Sequence, residues 1–139
     1  MSERLFLELV SPEHQLVNTE VDEVYAPGSE GDLGILPGHT AFFCSLRPGE
    51  FRFSIGNETE YIAVDGGFLE VADNKVTVLA DGAELGREIN LEETLRRKIQ
   101  AEKELEEARR QDSIDYKIIE AKLMREVVRI NVAGRYSKQ

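Results

Sequence analysis

The sequence predicts an all-β module followed by a pair of helices: a β-sandwich over residues 1–87 and an antiparallel two-helix hairpin over residues 88–139. Two observations carry this division. Ten of the eleven glycines precede residue 88, and only Gly134 follows it. Charge divides at the same place, with 5 basic and 17 acidic side chains in residues 1–88 (net −12) against 12 and 10 in residues 89–139 (net +2). Helices tolerate glycine poorly, so the two halves are built on different backbones.

Within the first module, Leu5, Leu7 and Leu9 alternate with Phe6, Glu8 and Val10, the period-two signal of a strand. Val21 to Ala26 is a second strand, ended by Pro27-Gly28. Phe51, Phe53 and Ile55 alternate with Arg52 and Ser54 ahead of a Gly56-Asn57 turn. Tyr61 to Val64 and Phe68 to Val71 flank the Gly66-Gly67 pair, and Lys75 to Ala80 follows the polar break Asp73-Asn74. Short strands separated by turn residues at regular spacing are the mark of a small sandwich or barrel.

The run from Gly28 to Thr40 holds four glycines and Pro37 around Leu33, Ile35 and Leu36. Glycine entropy and the missing proline N–H exclude a helix. No Gly-Lys-Ser/Thr ending is present to cradle a phosphate. The segment reads as a tight, shaped loop with Glu30 and Asp32 at its tip, suited to docking rather than catalysis.

In the second module, Asn90 precedes Leu91-Glu92-Glu93, an N-cap with Glu at the third helical position. Leu91, Leu95 and Ile99, spaced by four, continue into Leu105 and Ala108 as a thin apolar stripe. Glu93 with Arg97, and Glu104 with Arg109, are expected to pair along this helix. After a break at Gln111-Asp112-Ser113, a second helix carries Ile114, Ile118, Ala121, Leu123, Val127, Val128 and Ile130, and Gly134 marks its end. So thin a stripe buries little, and ordering the side chains opposes it, so the hairpin is expected to dock weakly and be able to leave the sheet.

Chemistry finds little foothold. The chain of 139 residues fits one or two small domains, no apolar run approaches the ~20 residues a membrane span needs, and Met1-Ser-Glu-Arg lacks a signal-peptide core. A soluble or peripheral protein is expected. The net charge of −10 argues against nucleic acid as a partner. Cys44, the single cysteine, sits in Phe42-Phe43-Cys44 and reads as an inert buried thiol. His14 and His39 are the two histidines; neither joins a cluster with metal-ligand spacing, and His39 reads as a turn or partner-contact residue. No catalytic residue, metal or cofactor is assigned. Lys117, Lys122, Arg125, Arg129, Arg135 and Lys138 outnumber Glu120 and Glu126 across the last stretch, a basic face for an acidic partner. A free-standing interaction module and a small hydrolase using two carboxylates are the alternatives at this point.

Several motifs in register resemble the epsilon subunit of bacterial and chloroplast F-type ATP synthases. They are Gly28-Ser-Glu-Gly-Asp-Leu-Gly-Ile-Leu-Pro-Gly-His39, Arg47-Pro-Gly49, Asp65-Gly-Gly-Phe-Leu-Glu-Val71, Val76-Thr-Val-Leu-Ala-Asp81 and Ser113-Ile-Asp-Tyr116. The resemblance implies a ten-stranded β-sandwich and a C-terminal hairpin. It implies a non-catalytic rotor subunit of a proton-translocating complex, peripheral on the cytoplasmic face of the bacterial inner membrane or the stromal face of the thylakoid. The sandwich would bind the gamma subunit and the c-ring, with Glu30, Gly31, Asp32 and His39 in the loop region facing them. The hairpin would extend along gamma toward the beta subunit, or alpha, and restrain ATP hydrolysis, with Lys122, Arg125 and Arg129 as its basic face.

One departure bears on ATP. Some members of that family bind ATP through an Ile/Leu-Asp-x-x-Arg-Ala motif, and the ungapped match here is Leu91-Glu92-Glu93-Thr94-Leu95-Arg96. Glu92 replaces the aspartate, Leu95 stands at the arginine and Arg96 at the alanine. Leucine cannot pair with phosphate, which argues against ATP binding.

Overall fold

The chain's structure is a computed structural model describing residues 3–111 and 115–136. The expected cap at Asp112-Ser113, the start of the last helix at Ile114, and Lys138 lie outside the described residues. Among those described, eight strands precede two helices: β1 (Leu5–Val10), β2 (Gln15–Val21), β3 (Glu23–Gly28), β4 (Gly31–Ile35), β5 (Phe42–Ile55), β6 (Glu58–Ala72), β7 (Lys75–Ala80) and β8 (Ala83–Leu85). A 3₁₀ turn at Gly86–Glu88 leads into α1 (Leu91–Arg110) and α2 (Tyr116–Ala133).

The strands run in the order β2-β1-β7-β6-β5-β3-β4, with β8 added to β6. β1 and β7 are parallel; the other pairs are antiparallel. β5 and β6 are 14 and 15 residues long and form a hairpin. The 67–72 end of β6 pairs with β7, while its 62–64 stretch pairs with β8, so the two long strands serve both layers of the sandwich. At the change from one stretch to the other stand Gly66 and Gly67, at φ +108° and +137°, where a side chain would be strained. Counting each long strand once per layer turns eight strands into ten, reconciling the expected number with the observed one.

Alternation places Leu5, Leu7, Leu9, Val24, Phe51, Ile62, Leu69, Val71, Val76 and Val78 between the layers, all essentially inaccessible. Several local expectations are corrected. Pro27-Gly28 does not end β3 but belongs to it, because the β3–β5 register shifts between Tyr25 and Gly28 and the missing N–H falls at that irregularity. The glycine-rich segment is not all loop: Gly31–Ile35 is β4, paired with β3. Tyr61–Val64 and Phe68–Val71 are parts of one strand, not two.

Asn90 caps α1 as expected, its Oδ1 accepting from the Glu93 N–H at 3.0 Å, a bond worth about 1 kcal/mol. The Glu93 carboxylate turns to Arg97 at 3.0 Å, as expected. Glu104 does not pair with Arg109; it meets Lys122 of α2, while Arg109 donates to the Tyr116 hydroxyl. These contacts, with Arg97 to Glu126 at 3.1 Å, hold the helices antiparallel. The buried face of α1 is Thr94, Ala101, Leu105 and Ala108, not the Leu91-Leu95-Ile99 row, which is exposed. Residues four apart drift by about 40° around a helix, so that row winds off the seam. In α2, Ile118 and Ala121 are likewise exposed, and Val128 and Val132 are buried. Among the described residues, no helix is long and apolar enough to cross a membrane.

Candidate functional site

The two outer faces of the sandwich differ. The face formed by β5, β6 and β8 is covered by α2. There Ala63 meets Val128 and Val132, with Tyr61 and Ile89 partly buried around them, in a cluster separate from the sandwich core. Two valines burying roughly 1.5–3 kcal/mol each give a modest apolar contact, opposed by the entropy of ordering the hairpin.

Charge supplements it. Arg129 of α2 is 13% exposed and reaches Asp65 through Nη1 (2.8 Å) and Nη2 (3.0 Å), and Glu84 through Nε (3.0 Å). Burial disfavours the Arg129 charge, but the Asp65 and Glu84 carboxylates outweigh it and raise the guanidinium pKa. Arg135 donates to both oxygens of Glu50 at 2.8 and 3.1 Å. The Tyr136 hydroxyl accepts from the Tyr61 N–H at 2.8 Å and donates to Glu60 at 3.1 Å. Of the residues assigned to a basic outer face, Arg129 is thus turned onto the sandwich and Lys122 onto α1. Arg125 lies one turn before Arg129, which donates to its carbonyl.

The opposite outer face carries Phe43, Phe68 and Leu79, exposed by 64%, 48% and 54%. They occupy neighbouring strands β5, β6 and β7, with Phe68 directly opposite Leu79 and the Phe43 and Phe68 rings stacked. An apolar patch of this kind on a sheet is the mark of an interaction surface. Nothing in the strand alternation hid it: these residues sit at the phase opposite the core, the signal that could have found them.

A groove beside this patch is lined by residues 28–33 and 42–45. It brings Glu30, Gly31 and Asp32 together with Phe42 and Phe43. Gly28 closes the turn, where a Cβ would fall 2.6 Å from the Gly31 carbonyl oxygen. Asp32 is not at the tip but in β4, held by Arg47, which also donates to the Gly28 carbonyl. His39 Nδ1 lies 2.7 Å from the Thr40 carbonyl oxygen, which fixes Nδ1 as the donor, and its ring meets Phe42 edge-on. Glu30, Gly31 and Asp32 therefore share one groove with Phe43, whereas His39 lines a separate hollow with Gly38, Thr40 and residues 72–74. Cys44 lines the same groove half-buried rather than buried, and desolvation raises its thiol pKa, as an inert thiol requires.

Leu91 and Leu95 stand exposed on α1, and Glu92 pairs with Arg96 at 3.5 Å on its surface. Among the described residues, no group of three or more His, Cys, Asp or Glu side chains could hold a metal.

Residues 4–86 match the family described as ATP synthase, Delta/Epsilon chain, beta-sandwich domain. The chain is 43% identical over 127 residues to the ATP synthase epsilon chain of Desulfitobacterium hafniense, covering 91% of this chain and 94% of that one. The Geobacter sulfurreducens epsilon chain is 37% identical over 139 residues, with both chains fully covered. Among solved structures, a chain of the Euglena gracilis mitochondrial ATP synthase (OSCP/F1/c-ring) superimposes with a TM-score of 0.69 at 23% identity, covering 97% of this chain and 83% of that one. A chain of the Tetrahymena thermophila mitochondrial ATP synthase central stalk and c-ring gives 0.53 at 19%, covering 63% and 70%. A delta/epsilon sandwich bearing a C-terminal hairpin, with relatives matched from end to end, makes this chain a member of the ATP synthase epsilon chain family.

Proposed function

We propose that the chain is a non-catalytic central-stalk subunit of a proton-translocating F-type ATP synthase. It couples c-ring rotation to ATP synthesis through its sandwich and restrains ATP hydrolysis through its hairpin. The observation carrying this reading is the contrast between the two outer faces: one bears an exposed aromatic patch, the other a separately packed, charge-held hairpin. A rotor contact needs a rigid surface with an apolar centre and a polar rim. Phe43, Phe68 and Leu79 supply the centre for the gamma subunit, and Glu30, Gly31, Asp32 and His39 supply the rim toward gamma and the c-ring.

The hairpin reading rests on its small contact. Leaving the sheet uncovers few apolar side chains, and Lys122, Arg125 and Arg129 would then face the acidic surface of a beta subunit, or alpha, where opposite charge favours docking. The sandwich over 1–87 and the hairpin over 88–139 act as two bodies joined at the 3₁₀ turn. The names of the Euglena and Tetrahymena assemblies, which include F1, a c-ring or a central stalk, support the same placement. The protein would lie peripherally on the cytoplasmic face of the inner membrane. ATP binding is not part of this reading, because Leu95 offers phosphate nothing and Arg96 is already paired.

Affinity capture of the tagged chain from detergent-solubilised membranes tests the assignment. Recovery of gamma and c subunits is expected. Stable expression with neither recovered would favour a free-standing interaction module.

A further inference from the structure

The contact between α2 and the sandwich has a feature its modest apolar area does not require. Each of the three guanidinium nitrogens of Arg129 donates to an acceptor: Nε to Glu84, Nη1 to Asp65 and the Arg125 carbonyl, and Nη2 to Asp65. The two carboxylates come from different strands, β6 and β8, so the acceptor is built by the sandwich rather than by the helix. Asp65 is held in place: its N–H donates to the Gly82 carbonyl at 2.9 Å, and a Cβ at Gly82 would stand 2.4 Å from its Oδ2. Only glycine there leaves the carboxylate its position.

We propose that Asp65 and Glu84 form an internal receptor that competes with the hairpin's acidic partner for the Arg129 side chain. The sandwich offers Arg129 the chemistry a partner's acidic surface would offer, two carboxylates around one guanidinium. One arginine cannot satisfy both. The hairpin is therefore held either by its own sandwich or by the partner, and the receptor's strength sets the balance. Lys122, bound within the hairpin to Glu104, takes no part in this competition. Arg135 with Glu50 is a second, exposed clamp, weakened by salt before the first. The proposal rests on the hairpin acting as a brake.

It makes an unusual demand, that two variants loosening the same contact act on inhibition with opposite sign. In full-length protein, Glu84→Gln is expected to speed hydrogen exchange of the α2 amides over 126–133 about tenfold, with β1 and β7 amides unchanged. In the reconstituted complex it should strengthen inhibition of ATP hydrolysis, because Arg129 is released for the partner. Arg129→Gln should also speed exchange, yet weaken inhibition. Unchanged exchange in Glu84→Gln overturns the receptor. Faster exchange with both variants shifting inhibition in one direction overturns the competition alone. Faster exchange with inhibition untouched by either variant overturns the brake, and the competition with it.

Discussion

The Phe43 and Phe68 rings stack with centroids 5.8 Å apart and planes 19° from parallel on the outer face of the sandwich. Phe43 is 64% and Phe68 48% exposed, so the outward surface of the pair contributes little to the fold and is available to a partner. Phe68→Ser should therefore leave the melting temperature nearly unchanged while lowering affinity for gamma more than about tenfold, as loss of a central interface aromatic does. Pull-down titration against gamma checks this. Undiminished affinity would remove the patch from the interface.

A second expectation concerns Gly86. A Cβ there would stand 2.5 Å from the Tyr136 ring, 2.7 Å from the Tyr61 carbonyl oxygen and 2.8 Å from Val132 Cγ1. The end of α2 thus sits directly on the turn between β8 and α1. Gly86→Ala should lift that end at a cost of roughly 1–3 kcal/mol to docking. The Tyr61 amide, which donates to the Tyr136 hydroxyl, should lose its exchange protection. Retained protection would mean the turn is not the seat of the helix.

Acid should act at the turn between β5 and β6. The Gly56 N–H donates to Asp22 at 2.6 Å and lowers its pKa; desolvation opposes this and Arg4 adds to it. A lowered folded-state pKa gives stability that is present above the unfolded value, about 3.9, and lost as pH falls through the folded value. The melting-temperature gap between wild type and Asp22→Asn should hold from about pH 5 to 8 and close below about pH 4. A gap independent of pH would show that the Asp22 charge is immaterial.

How much the sequence revealed depended on the neighbours each residue meets. β1, β7 and the Asn90 cap were legible because their signals are local: alternation, a two-residue turn, a capping side chain. β2 and β8 were not, since Gln15–Val21 is largely exposed and Ala83–Leu85 is only three residues long. Leu91, Leu95 and Ile99 misled because α1 is flanked by α2 rather than seated on the sheet, and its contact face is marked by Ala101 and Ala108. The basic character of α2 was visible, but its docked state was not. Asp65 and Glu84 lie 64 and 45 residues before Arg129, beyond any local pattern.

The separation between the sandwich core and the Ala63-Val128-Val132 cluster underlies the whole account. The direct test compares ATP hydrolysis by complexes rebuilt with the full chain and with a chain ending at residue 88. Both should assemble, and only the full chain should restrain hydrolysis. A shortened chain that assembles and restrains hydrolysis as strongly as the full one would contradict it.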